Sequence, residues 1–104
     1  MPRFDVYANP SMRERKTTPF LLDVQNDYIA GLATRVVIPL RHEAYFGARA
    51  DRLNPLVRVA DEAVVLDTAA MGAVPLSLLK RPLMNLRAEQ HDITTALDTL
   101  FGAF

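Results

Sequence analysis

Cysteine is absent from this 104-residue sequence, and so is tryptophan. Without a thiol, disulfides, cysteine nucleophiles and thiolate metal sites are all excluded, which suits a reducing compartment. Serine is nearly as scarce. Ser11 and Ser77 are the only two, and neither stands in a Gly-x-Ser-x-Gly setting, so a serine hydrolase is not expected. The four glycines (31, 47, 72 and 102) are isolated from one another, which leaves no glycine-rich loop to cradle a phosphate. No apolar run approaches the ~20 residues of a membrane span. The opening Met1-Pro2-Arg3-Phe4-Asp5 lacks the apolar stretch of a signal peptide, which points to a cytoplasmic chain. Net charge is zero, whereas a general nucleic-acid binder should be basic.

What is present suits one domain over residues 1–104. Half the residues are hydrophobic and 23% are charged, enough apolar material for a single core. The charge is unevenly spread. Residues 1–58 carry nine Lys/Arg against six Asp/Glu, and residues 59–104 carry three against six. A basic patch early in the chain would suit an acidic peptide partner. A solvated arginine-rich surface accounts for the charge equally well.

Phe4 to Tyr7 alternates with period two and reads as a first strand. Ala8 to Pro19 is a polar loop marked by Asn9-Pro10. Phe20 to Val24 and the β-branched run Arg35 to Leu40 read as second and third strands. Pro39 cannot donate a ladder hydrogen bond, so the end of the third strand is expected at an edge or bulge. Residues 41–54 carry no clear pattern. Leu56-Val59 and Val64-Asp67 flank a tight turn, Ala60-Asp61-Glu62-Ala63, and form a hairpin. Val74 to Leu79 is extended, punctuated by Pro75 and Pro82.

The last element is helical: Ile93, Ala96, Leu97, Leu100 and Phe101 make one amphipathic stripe. Asn85 is placed to cap it, giving a helix of roughly 25 Å at 1.5 Å per residue. Gly102 sits where a helix commonly ends in a left-handed residue. Short strands followed by a terminal helix make an antiparallel α+β fold, a small barrel or strongly twisted sheet.

Catalytic groups are thinly spread. His42 and His91 have no ligand-like spacing. Glu89 and Asp92 share a first helical turn, where carboxylates answer the helix dipole more often than they bind metal. Asp23 and Asp27 flank a turn and serve the backbone there. Small barrels include ribonucleases that use an arginine with a neighbouring acid or hydroxyl, and Arg35 with Thr34 could be cast that way, though nothing in the spacing singles the pair out. No cofactor or metal is expected, and that pair is the one catalytic option left open.

The end of the chain, Thr99-Leu100-Phe101-Gly102-Ala103-Phe104, places two aromatics beside the terminal carboxylate. Leaving a phenylalanine exposed forfeits roughly 1.5–3 kcal/mol. Either these rings close the barrel or a dimer seam, or they are kept for a partner.

Several motifs together resemble one family. Leu21-Leu22-Asp23-Val24-Gln25-Asn26-Asp27-Tyr28-Ile29, followed by Arg35-Val36-Val37-Ile38-Pro39-Leu40, is similar to the central strands of the CcdB toxins. Phe4-x-Val6-Tyr7, Asp61-Glu62, Met71-x-x-Val74-Pro75-x-Ser77 and Asp92-Ile93-x-x-Ala96 follow in register. The likeness spans essentially the whole chain, apart from a longer basic loop and a small gap between Arg41 and Asn54.

The resemblance implies a symmetric homodimer with an SH3-like antiparallel barrel and a C-terminal helix. It implies a gyrase poison of a plasmid or chromosomal toxin–antitoxin pair, acting by docking rather than by chemistry. The family's gyrase-contacting positions fall on Tyr28, Ile29, Asp98, Phe101, Gly102, Ala103 and Phe104. Tyr28 replaces an aliphatic residue and Asp98 an asparagine. The best-known members end in Trp-Gly-Ile, the tryptophan stacking on a gyrase arginine, where this chain has Gly102, Ala103 and Phe104. The antitoxin, a DNA-binding dimer with an acidic tail, would meet Arg13, Arg15 and Lys16. A member that binds its antitoxin as a co-repressor and no longer poisons gyrase is the alternative which that altered terminus raises.

Overall fold

Period-two alternation becomes a curled antiparallel sheet in a computed structural model that describes residues 2–29 and 31–102. The strands are β1 (Asp5–Ala8), β2 (Phe20–Asp23), β3 (Thr34–His42), β4 (Leu56–Val59), β5 (Glu62–Leu66), β6 (Gly72–Pro75) and β7 (Met84–Asn85). They run in the order β4-β5-β3-β2-β1-β7, and β6 also pairs with β3. β3 has two partners on one side: Thr34 to Val37 pair with β6, and Leu40 to His42 pair with β5. That fork curls the sheet into a half-barrel. With one C-terminal helix, α2 (Gln90–Phe101), the architecture is the expected α+β, SH3-like one.

The register sorts the side chains. Val6, Leu22 and Ile38 lie opposite one another across β1, β2 and β3 and point into the main core. The alternate positions Tyr7, Leu21 and Val37 share the other face, where Leu79 covers them. Because the side-chain period in a strand is two, each strand serves both layers. The helix contributes Ile93 and Ala96, both fully buried, to the main core, with Leu97 packed at its margin. Burying Ile93 alone stabilises the docked helix by roughly 1.5–3 kcal/mol.

Several local expectations change. Pro39 lies inside the most central strand, not at an edge. A strand residue's nitrogen and carbonyl point the same way. The Pro39 carbonyl accepts from the Asp67 amide (3.0 Å), so its nitrogen faces the gap where β3 changes partner from β6 to β5. No ladder bond is asked of it there.

The hairpin turn is shorter than expected. Val59 pairs with Glu62, leaving Ala60 and Asp61 as a two-residue turn with φ of 51° and 66°. Those values make a type I′ turn, whose twist matches that of the strands. The extended segment at 74–79 ends earlier: β6 stops at Pro75, and Leu76–Leu78 form one 3-10 turn. Residues 41–54 hold the end of β3 and a single helical turn, α1 (Glu43–Phe46).

Asn85 caps differently from expectation. It belongs to β7, and its Oδ1 accepts from the Arg87 amide (2.8 Å) at the start of a 3-10 turn, Arg87–Glu89, that leads into α2. The 12-residue α-helix proper is therefore roughly 18 Å long, shorter than the sequence suggested.

Candidate functional site

A buried polar frame holds the turn that carries Tyr28 and Ile29. Asp23 ends β2 fully buried, and Arg35, at the start of β3, is 6% exposed. Arg35 Nε donates to Asp23 Oδ2 (2.8 Å) and Nη2 donates to Oδ1 (3.0 Å), a two-pronged ion pair. Nη2 also reaches the Gln25 carbonyl (3.3 Å). The Gln25 amide donates to Asp23 Oδ1 (3.0 Å), and Gln25 Oε1 accepts from the Val36 amide (3.0 Å). Chain entry, turn and chain exit are thus tied to one carboxylate. Burial pushes the Asp23 carboxyl above its usual range, with Arg35 pulling it back.

This frame is the part of the site that sequence reading missed. Asp23 and Arg35 looked like a turn residue and a ribonuclease candidate. The signal available was Asp23 itself, an acid at the end of the apolar run Phe20-Leu21-Leu22 with an arginine opening the next strand. Arg35's guanidinium is committed to Asp23 in the interior, while Thr34, its partner in the ribonuclease reading, is exposed.

Beyond the frame the chain turns outward. Asn26 Oδ1 accepts from the Tyr28 amide (2.8 Å), and the Ile29 amide donates to the Asn26 carbonyl (3.2 Å). These two bonds close an Asx turn, and Arg35 Nη2, 3.9 Å from Asp27 Oδ1, ties it to the frame. The turn presents Tyr28 at 95% exposure and Ile29 at 46%. Tyr28 lines a cleft of about 260 Å³ with Arg3, Arg87, Gln90 and Thr94. Ile29 lies on the turn's other side, in a smaller cleft with Leu32 and Leu76. Both of these leucines are exposed.

The helix continues the first of these surfaces. Gln90, Thr94, Asp98 and Phe101 are spaced i, i+4, i+8 and i+11, one face of an α-helix. Tyr28 therefore meets the N-terminal half of the face whose far end carries Asp98 and Phe101. Phe101 is 70% exposed, so it does not close the barrel despite its place in the apolar stripe. Eight residues from Ile93, it has drifted about 80° around the helix, off the core-facing side. Gly102 ends the helix in the left-handed region (φ 74°, ψ 34°) as expected. Ala103 and Phe104 lie outside the described residues.

Arg13, Arg15 and Lys16 are exposed on the loop between β1 and β2. The loop is ordered from within. Asn9 Nδ2 donates to the Thr18 carbonyl (2.9 Å), and Asn9 Oδ1 accepts from the Ser11 amide (3.0 Å). Arg15 Nε donates back to the Asn9 carbonyl, fixing that side chain at the loop's base. Elsewhere, His42 meets Glu62 at 3.5 Å and packs edge-on against Tyr45, while His91 stands apart on α2. Among the described residues no three His, Asp or Glu side chains gather as metal ligands, and no helix is long and apolar enough to cross a membrane.

The site is thus two surfaces rather than a catalytic constellation: an exposed aromatic and aliphatic edge beside α2, and a basic loop. Residues 3–102 match the family model described as CcdB protein, and the chain belongs to the CcdB family.

Proposed function

We propose that this CcdB-type toxin of a toxin–antitoxin pair binds the A subunit of DNA gyrase as a homodimer. It holds the enzyme with its DNA cleaved and is neutralised by an acidic-tailed, CcdA-like antitoxin. The observation that carries this reading is Phe101, a large apolar side chain 70% exposed at the end of a well-packed helix. It shares a helix face with the residues that line a cleft with Tyr28, itself still more exposed. Apolar groups left outside a core mark surfaces that a partner covers. A ligand that prefers the cleaved state shifts gyrase towards it, so no chemistry by the toxin is required. On the other side, Arg13, Arg15 and Lys16 give an acidic tail its docking charges.

A second reading is favoured by the terminus. Gly102-Ala103-Phe104 stands where the best-known members have Trp-Gly-Ile, and the chain has no tryptophan. The loss of a cation–π contact worth roughly 0.5–2 kcal/mol would leave an antitoxin-binding co-repressor that no longer poisons gyrase. Expression in two hosts separates the readings. Poisoning predicts growth arrest in a gyrase-sensitive host and none in a host with resistant gyrase. Growth unaffected in both selects the co-repressor, and arrest in both overturns gyrase as the target.

A further inference from the structure

The outer face of the sheet carries a further cleft, built from different elements than the edge beside α2. After β6 the chain crosses this face as the 3-10 turn Leu76–Leu78 and a short extended run. Leu79 is buried on Tyr7, Leu21 and Val37, and the Leu83 amide donates to the Val6 carbonyl (2.7 Å). The segment is therefore fixed at both ends. Leu78, beside the buried Leu79, is left 43% exposed. Between this segment and the basic loop lies a cleft of about 400 Å³, lined by Tyr7, Pro10, Arg15, Leu78, Lys80 and Arg81. That volume falls within the range of sites that take a small ligand or a peptide side chain.

Its chemistry is one-sided. Three cations stand at the cleft, and no carboxylate lines it. Lys80 and Arg81 are exposed and make no ion pair among the described residues. The carboxylates that act on Tyr7 are Asp5 and Asp23, both buried and both occupied, Asp5 by Asn85 and Asp23 by Arg35. Burial, with help from these acids, pushes the Tyr7 phenol up to about 12, so the cleft floor is a neutral ring and hydroxyl. Apolar floor, cationic rim and fixed walls together favour a ligand with carboxylates flanking an apolar group.

We propose that this cleft binds an acidic peptide segment, one apolar side chain of which seats on Pro10 and Leu78 while flanking carboxylates pair with Arg15, Lys80 and Arg81. The proposal rests on the reading of the basic loop as the antitoxin-facing one, and extends that footprint across to residues 78–81. A nucleic acid fits less well, because the Tyr7 ring is 2% exposed and offers no face for base stacking.

The test uses the full chain and a fluorescent synthetic peptide of alternating Glu and Ser with one central Phe, followed by anisotropy. Saturable binding is expected, weakened about tenfold or more by K80E/R81E and by replacing the central Phe with Ser. K80S/R81S serves as the milder variant, and thermal melting of each checks that it folds. The loop variant R13E/K16E separates the two readings. Binding lost in R13E/K16E but unchanged in K80E/R81E overturns the cleft and leaves the loop reading standing. Binding that ignores both pairs overturns both. An affinity for oligothymidylate or phosphatidylserine vesicles that depends on Lys80 and Arg81, without peptide binding, overturns the proposal as well.

Discussion

A single carboxylate sets the geometry of the exposed turn. Asp23 is buried and raised above its ordinary value of 3.8, chiefly by desolvation, with Arg35 opposing the shift. A raised acid contributes stability that is fully present below its unfolded value and is lost as pH rises through the folded one. In Arg35→Ala the opposing guanidinium is gone, and at neutral pH a buried carboxylate stands unpaired. We expect a loss of about 3–5 kcal/mol at pH 7.5 in urea unfolding, shrinking at pH 5 as Asp23 takes up its proton. A deficit below about 1 kcal/mol, or one equal at both pH values, contradicts this account of the frame. Ala60 shows the opposite kind of position, a side chain that works against its backbone. At φ 51° its Cβ crowds the following carbonyl, a strain of roughly 1–2 kcal/mol for an L-residue. Ala60→Gly should raise the urea midpoint by an amount worth up to about 1 kcal/mol, the relief being partly offset by greater freedom of the unfolded chain.

Among the elements, α2 divides into a half that holds the fold and a half that does not. Ile93→Ala is expected to cost about 2–5 kcal/mol, since it opens a cavity under the helix. Phe101→Ala should stay within about 0.5 kcal/mol in the isolated chain at a concentration where it is monomeric, because little of the ring is covered. Comparable costs for the two would mean that Phe101 belongs to the core. Most elements were legible because period two and period 3.6 leave unmistakable marks in runs such as Phe20-Leu21-Leu22 and Ile93-x-x-Ala96-Leu97. What was not legible depended on tertiary partners. Pro39 looked like an edge residue until β3 was seen to change neighbours beside it. Phe101 fell within the apolar stripe, and only the docked angle of α2 shows that its side leaves the core. Asp23 and Arg35 are 12 positions apart, and strand pairing rather than any local pattern brings them together. The positions proposed to meet gyrase were named through family likeness; in the structure Tyr28 lines a cleft with one face of α2, while Ile29 sits in a separate cleft.

Taken as a whole, the molecule leaves apolar side chains outside its core on the turn at 28–29, at Leu32, at Leu76 and at Phe101. Exposed apolar patches mark interaction surfaces, and the proposed homodimer would cover part of them. Sedimentation equilibrium at micromolar concentration should return twice the chain mass of 11.6 kDa, the mass of a homodimer. A single-chain mass throughout that range contradicts it. In the proposed function two separate surfaces, one apolar beside α2 and one basic at the loop, would meet target and neutraliser through different chemistry. The apolar one carries the central claim. Its most direct test is DNA cleavage by purified gyrase on supercoiled plasmid, with the wild-type chain beside Phe101→Ala. The account predicts linear DNA with the wild type, and about tenfold or more of the variant to reach the same yield. No linear DNA with wild type, or equal yield from both proteins, contradicts it.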